Sequence, residues 1–445
     1  SMNGQAPLFD SEPLIEESAR RKRRRRWLLV GLALGTVSVL GLLYGVGCWR
    51  GQRLLTQEIE KIASRGEPVW YADLAPRPTD PALARGRLIA ATVHTLDRVP
   101  YEPFDEAIAA PASPVIQAKV QPLLDAHRPS IDRIIAQLRQ GDCRLEYDFQ
   151  TPIPFSTLLP IVQDTRMAAR ILTAEFRIAA ARGQRAQAIQ AMTETLELDD
   201  VLRHEPFAVS QYVRAAVARY ALDDLQIALG DDAFGVEALL GIAPRLAVLE
   251  SRFRVGPALR SERAAMLTTM ENLGRLDMSN VLEDPARGVS RTRALLLTHW
   301  WGSWIYRPRR LHQQAIMLRT MSRMADLIDL PGPEAAEQFA EADAVMRDGE
   351  LPLCEEFSSH LHQLRDAALN HRQRFVSARL ALAVCRFREL HERLPDSLSE
   401  LTDSPPMDAT GLLSGQPVGY VKTGDGFVIY DGSPEQGRFE VRFAR

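Results

Sequence analysis

Three histidines gather late in the chain, His360, His362 and His371, with Glu355, Glu356 and Asp366 close by, the residue mix from which metal centres are built. On a helix His360 and His371 share a face, eleven residues being about three turns. His362 points about 160° away from that face. No H-E-x-x-H occurs and no two histidines stand four residues apart, so the spacing predicts a solvated helix face and no metal. Other chemistry-bearing patterns end the same way. No G-x-x-x-x-G-K-S/T loop is present to cradle a phosphate, Gly424-Asp-Gly426 reads as a turn, and no G-x-S-x-G elbow presents a nucleophile. The acidic pairs Asp199-Asp200, Asp223-Asp224 and Asp231-Asp232 are expected at helix ends or turns, where carboxylates cap amides or face water. Glu262-Arg263 and Glu175 with Arg177 are expected on helix surfaces. No catalytic residue, no cofactor-binding residue and no cofactor is assigned. Of the four cysteines, Cys354 and Cys385 leave one disulfide open if the compartment is oxidising.

The strongest physical signal lies elsewhere. Trp27–Trp49 is 23 residues without a charge. At about 1.5 Å per residue it reaches ~34 Å, enough to cross the hydrocarbon layer of a bilayer. Trp27, Tyr44 and Trp49 stand near its ends, where amphipathic rings favour the headgroup zone. Directly before it run Arg20, Arg21, Lys22, Arg23, Arg24, Arg25 and Arg26, a block that resists translocation. The expected topology is therefore a cytoplasmic N-terminus, an uncleaved signal anchor, and residues 50–445 outside. Gly31-x-x-x-Gly35 and Gly41-x-x-x-Gly45 leave open a homodimer through the span. Gly45-Val-Gly-Cys48 leaves open lipidation of Cys48. Residues 1–26 carry a balance of +3 and residues 50–445 one of −6, so nucleic acid is not an expected partner. With 46% apolar and 25% charged residues the chain is ordinary globular material, which excludes whole-chain disorder and a multi-span transporter.

Trp300, Trp301, Trp304 and Tyr306, followed by Arg307, Arg309 and Arg310, are open to two readings. The indoles fill the core at a helix end, which is the expectation for a large helical body. Alternatively they form a second contact with the membrane interface, the arginines on lipid phosphates.

These groups must be positioned by mainly α architecture. Leu54, Leu55, Ile59 and Ile62 continue a helix out of the span until Gly66-Glu-Pro-Val69 stops it. A Pro-rich connector with a short helix near Leu83–Leu96 follows, and Pro100–Pro114 reads as irregular. From about 115 to 393 the pattern is overwhelmingly helical. Ala168, Leu172, Phe176 and Ala179 form one stripe and Ala188, Met192 and Leu196 another, across a turn at Gly183. After Pro395 short strands are expected at Val418–Lys422, Phe427–Tyr430 and Arg438–Phe443. The expected parts are a basic arm (1–26), a transmembrane helix (27–49), a juxtamembrane connector (50–114), an α-helical ectodomain (115–354), and a long helix with a small antiparallel sheet (355–445).

Residues 180–199, with their Ala-Ala-Arg-Gly turn, resemble the second half of a tetratricopeptide unit. Leu380–Leu401, Asp408–Gly411, Gly415–Tyr420 and Gly424–Tyr430 are similar to the C-terminal half of type II secretion pseudopilins, where a helix runs through a proline and a loop into a short sheet. That resemblance makes Asp408, Asp425 and Asp431 candidates for a calcium loop. The reading taken is still no metal, because Ala409 replaces the family's proline and extra residues separate Gly411 from Pro417. The whole layout resembles uncharacterised single-span bacterial envelope proteins, which implies the bacterial inner membrane, the lipid bilayer as one partner and another envelope protein as a second. The expected function is a structural or interaction role outside the cytoplasm. A pseudopilin-related secretion component, and an enzyme or ligand-binding protein with a site between helices, are the alternatives.

Overall fold

Helix α1 (Glu12–Ser64) is 53 residues long, about 80 Å at helical rise, and runs without a break from the basic block through the apolar stretch into the folded body. The computed structural model describes residues 12–96, 99–152, 154, 160–272, 306–348, 352–401, 410–432 and 438–443. An uncharged apolar run satisfies its own backbone as a helix, and α1 ends where Gly66 takes φ +70°, a conformation open to glycine. Gly66 N then donates to Ala63 O at 2.9 Å and Glu67 N to Ile62 O at 3.3 Å, closing the last turn.

The body is built by helices in sequence. α2 (Pro81–Val93) starts on Asp80, whose side chain accepts from Ala82 N at 2.9 Å. α3 (Glu102–Ala109) occupies part of the segment expected to be irregular. The prolines misled: Pro103 sits in the first helical turn, where its fixed φ and missing N–H fit a helix start. α4 (Pro114–Leu138) precedes the antiparallel hairpin of α5 (Pro160–Ala181) and α6 (Arg185–Glu197). Ala168, Leu172, Phe176, Ala179, Ala188, Met192 and Leu196 are all buried there, as their spacing predicts. α7 (Ala208–Gly230), α8 (Val236–Leu240), α9 (Ala243–Arg252) and α10 (Gly256–Asn272) follow. After the residues not described come α11 (Arg307–Leu327), α12 (Pro333–Asp348) and the 40-residue α13 (Pro352–His391). Cys354 and Cys385 lie on that one helix, 31 residues or about 46 Å apart, so the disulfide left open between them does not form within the chain.

Three antiparallel strands in the order β1-β2-β3, β1 (Gly419–Thr423), β2 (Gly426–Tyr430) and β3 (Phe439–Arg442), make the small C-terminal sheet. Phe427, Ile429, Phe439 and Val441 point inward by the two-residue period and are buried against α7 and α13. Arg388 of α13 stacks 3.7 Å above the Phe443 ring. At the end of α7, Gly230 lies so near the chain that an added Cβ would stand 2.2 Å from Arg442 O. One hydrophobic core joins Leu55 of α1 to Val441 of β3.

Candidate functional site

The apolar part of α1 is the only candidate membrane span among the described residues, with an 18-residue window of mean hydropathy 2.1, none of it buried in the protein. Leu28 is 72% exposed, Trp27 67% and Trp49 62%. A helix used as protein core would bury such side chains, so this one stands clear of the body. A Cβ added at Gly31, Gly35, Gly41 or Gly45 would meet nothing within 4 Å, so both glycine pairs expected at a homodimer seam are open. Of the Arg20–Arg26 block, the helix backbone is described throughout and Arg23 is exposed.

Higher up, α1 changes partner. A Cβ on Gly47 would stand 3.1 Å from Pro308 Cβ, and one on Gly51 would stand 2.9 Å from Leu311 Cβ and 3.1 Å from Pro308 O. The glycines let α1 and α11 approach backbone to backbone. Glu58 then accepts from Arg319 at 2.8 Å and Arg65 donates to Asp326 at 3.1 Å. Both pairs, and Gly47 with Pro308, are separated by 261 residues, so α1 and α11 run parallel in constant register. Arg307, Arg309 and Arg310 therefore stand level with Val46, Cys48 and Trp49, at the end of the apolar stretch. Arg307 and Arg309 are exposed and Arg310 is half-buried. Arg307 and Arg310 lie within electrostatic reach of the half-buried Tyr44 hydroxyl. Trp300, Trp301 and Trp304 lie outside the described residues.

Inside the body, charges expected on surfaces turn out to be buried ties. Asp199 and Arg214 are both fully buried; the guanidinium donates twice to Asp199 Oδ2, at 2.7 and 2.9 Å, and stacks 4.8 Å over Phe253. Asp223-Asp224 is not at a helix end but within α7, and Asp224 accepts from Arg177 of α5 at 2.7 Å. Arg128 joins α4 to α5 and α6 through Glu175 at 2.9 Å and Glu194 at 2.7 Å. Arg263, also fully buried, donates to Glu67 at 2.9 Å, Pro68 O at 3.0 Å and Ser322 at 2.6 Å, locking the turn after α1 onto α10 and α11. Each partner comes from a different element. Asp231 and Asp232 stand where expected, in the turn after α7, the Asp231 side chain accepting from Ala233 N at 3.0 Å and Asp232 exposed. Asp199-Asp200 also follow a helix end, that of α6, though Asp199 is buried there.

Two carboxyl groups stand apart. Glu205 accepts from the Tyr147 hydroxyl, and burial pushes it up to about 8. Glu262 accepts from Ala208 N at 2.8 Å, at the start of α7, and burial pushes it up to about 7. Tyr71, Phe149, Phe207 and Tyr147 pack beside them, ring centroids 5.2 to 6.5 Å apart. His371, expected on a solvated face, is buried between Phe253 at 4.6 Å and Phe375 at 4.7 Å, and burial holds it neutral well below the ordinary range. The side chains of His360 and His362 lie outside the described residues.

A cavity of about 360 Å³ opens beside α7, α8 and the last turns of α13. Its polar lining is already engaged. Arg388 donates to Asp232 at 2.8 and 3.0 Å, and Glu389 accepts from Val236 N at 2.9 Å. The Cys385 thiol there is pushed up by burial to about 12, which removes its nucleophile. The calcium candidates are not brought together. Asp425 and Asp431 flank opposite ends of the five-residue β2, roughly 20 Å apart, and Asp408 lies outside the described residues. Asp431 instead holds the 411–414 turn, accepting from Leu413 N at 2.7 Å and Ser414 N at 3.1 Å. No group of three or more metal-ligating side chains occurs among the described residues. No protein-family model, curated protein or solved structure matches the chain.

Proposed function

We propose that this chain is a single-span membrane protein, its basic N-terminal arm cytoplasmic, whose helical body is held outside the bacterial inner membrane to bind another envelope protein. One observation carries the reading: α1 is continuous from the exposed apolar stretch into the core, with Leu55 and Ile62 buried and Glu58 paired to Arg319. A tethered enzyme needs only a flexible linker, whereas a continuous stalk fixes the body's height and orientation, which suits a docking platform. The charge block on one side of the span supports the orientation. The test is a pair of C-terminal reporter fusions, one active only in the cytoplasm and one only outside it, with crosslinking of the full chain in intact cells. Activity of the cytoplasmic reporter, or crosslinks to nothing but lipid and chaperones, overturns the reading.

A pseudopilin-related secretion component is the second reading. The seating of the sheet on α13, the helix that leads into Pro395, favours it. Crosslinks to secretion-system subunits would select it over a general envelope partner.

A further inference from the structure

A small aromatic core stands apart from the main one at the start of α7. Tyr71 and Phe207 are buried there with Ala265 of α10, and Phe149 packs against them. Residues 142–151 cover it as a strap with neither helix nor strand. Arg144 N donates to Ala82 O at 3.0 Å, but from Leu145 to Gln150 no backbone hydrogen bond reaches another element among the described residues. Side chains do the holding. The Phe149 ring lies 5.2 Å from Tyr71 and the Tyr147 ring 6.5 Å from Phe207, Leu145 is buried, and the Arg87–Glu146 pair is exposed to water. The Tyr147 hydroxyl donates to Glu205, three residues before α7 begins, and Glu262 of α10 accepts from Ala208 N, the first amide of α7. Both carboxyls are buried, and neither meets a cation among the described residues. The charged neighbours turn elsewhere: Arg203 and His204 to Asp142, at 2.8 and 3.5 Å, and Arg263 to Glu67 at 2.9 Å.

We propose that the strap is a pH-operated latch, closed over the start of α7 while Glu205 and Glu262 carry their protons and released once they lose them. The latch needs nothing from the membrane-anchored reading. A carboxylate in this dry junction has no counter-ion, so its charge is relieved by letting water in. Lifting the strap does that while breaking few backbone hydrogen bonds. Closed, burial holds Glu205 at about 8 and Glu262 at about 7; open to water, each returns toward 4.5. Between those limits each pH unit favours the open form by up to about tenfold per carboxyl. The other titratable groups facing the pair are Tyr71, Tyr147 and Cys143, and Tyr212 of α7 with Asp366 of α13 beyond it. Burial pushes Cys143 and Tyr212 up to about 12 and raises Tyr147 as well, which leaves the neutral range to the two carboxyls.

The test is hydrogen–deuterium exchange of the detergent-solubilised full chain, read by mass spectrometry and corrected for the intrinsic rate at each pH. Between about pH 5.5 and about pH 7.5, protection of residues 205–212 should fall at least about tenfold, while the α5–α6 hairpin keeps its own. Glu205→Gln with Glu262→Gln should abolish the fall. Tyr147→Phe, which cuts the tie between strap and Glu205, should lower protection of 205–212 already at about pH 5.5. Should the double variant fail to fold by circular dichroism, the two single variants replace it, each keeping only the other's share of the fall. Protection in wild type that ignores pH overturns the latch. So does an undiminished fall in the Gln chains, or a fall shared equally by the α5–α6 hairpin. Unchanged protection in Tyr147→Phe would deny the strap its part.

Discussion

Glu58 of α1 accepts two hydrogen bonds from Arg319 of α11, at 2.8 and 3.0 Å, and this pair registers the anchor helix against the body. Glu58 is buried, whereas Arg319 is more than half exposed, so water screens the bond. Arg319→Ala should lower stability by about 1 kcal/mol, and a double-mutant cycle with Glu58→Gln should return most of that as coupling. Chemical unfolding of the detergent-solubilised chain checks this. Additivity of the two variants would deny the pair its role.

Gly51 and Gly35 should answer differently to the same substitution. A leucine at 51 drives into Leu311 and the Pro308 carbonyl, whereas a leucine at 35 meets open space. Gly51→Leu should cost about 1–3 kcal/mol through overpacking, while Gly35→Leu leaves the unfolding midpoint unchanged. If Gly35→Leu also abolishes a dimer on native gels, that glycine pair forms the seam of a homodimer.

Arg214 is the buried charge whose loss should be felt most. Arg214→Ala strands the Asp199 carboxylate in the core and removes the guanidinium stacked on Phe253, for roughly 3–5 kcal/mol. Replacing Asp199 by Asn and Arg214 by Met together should recover part of the loss, because both charges then leave the interior. Thermal melting separates the two outcomes.

The pH dependence of stability follows from Glu205 and Glu262. Their folded-state values, about 8 and about 7, stand above the ordinary 4.5 of a glutamate, so through the neutral range the native chain holds protons the unfolded chain has released. Their contribution is complete below the unfolded value and is lost as pH rises through 7 and 8. His371 acts at the other end. Burial keeps it neutral when folded, so below its ordinary 6.5 the unfolded chain takes the proton and stability declines. Melting temperature should therefore fall between about pH 4.5 and about pH 8, the single His371 proton offsetting only part of the trend below 6.5. Glu205→Gln with Glu262→Gln should flatten much of that limb, leaving the share of Asp224, which burial also pushes up to about 8. An unchanged slope in the double variant would place the titration elsewhere.

What could be read in advance was local. The stripe from Ala168 to Ala179 and the turn at Thr423–Gly426 declare themselves within twenty residues, because periodicity and turn chemistry are short-range properties. The site was legible only in its apolar half. Glu67 and Arg263 are 196 residues apart and Arg177 and Asp224 are 47 apart, and nothing near any of them announces a partner. An arginine on a polar stripe reads as solvated until another helix covers it. The height of Arg307, Arg309 and Arg310 beside Trp49 was hidden for the same reason, since it depends on a helix pairing at a separation of 261 residues.

The uninterrupted α1 has a mechanical consequence. With no swivel between Trp49 and the seam at Gly51, the body cannot reorient independently of the rod that carries it. Thinning or thickening of the lipid layer, which such rods accommodate by leaning, would swing the whole domain through the same angle. On the anchored reading proposed above, bilayer thickness would become an input that sets the tilt of the body.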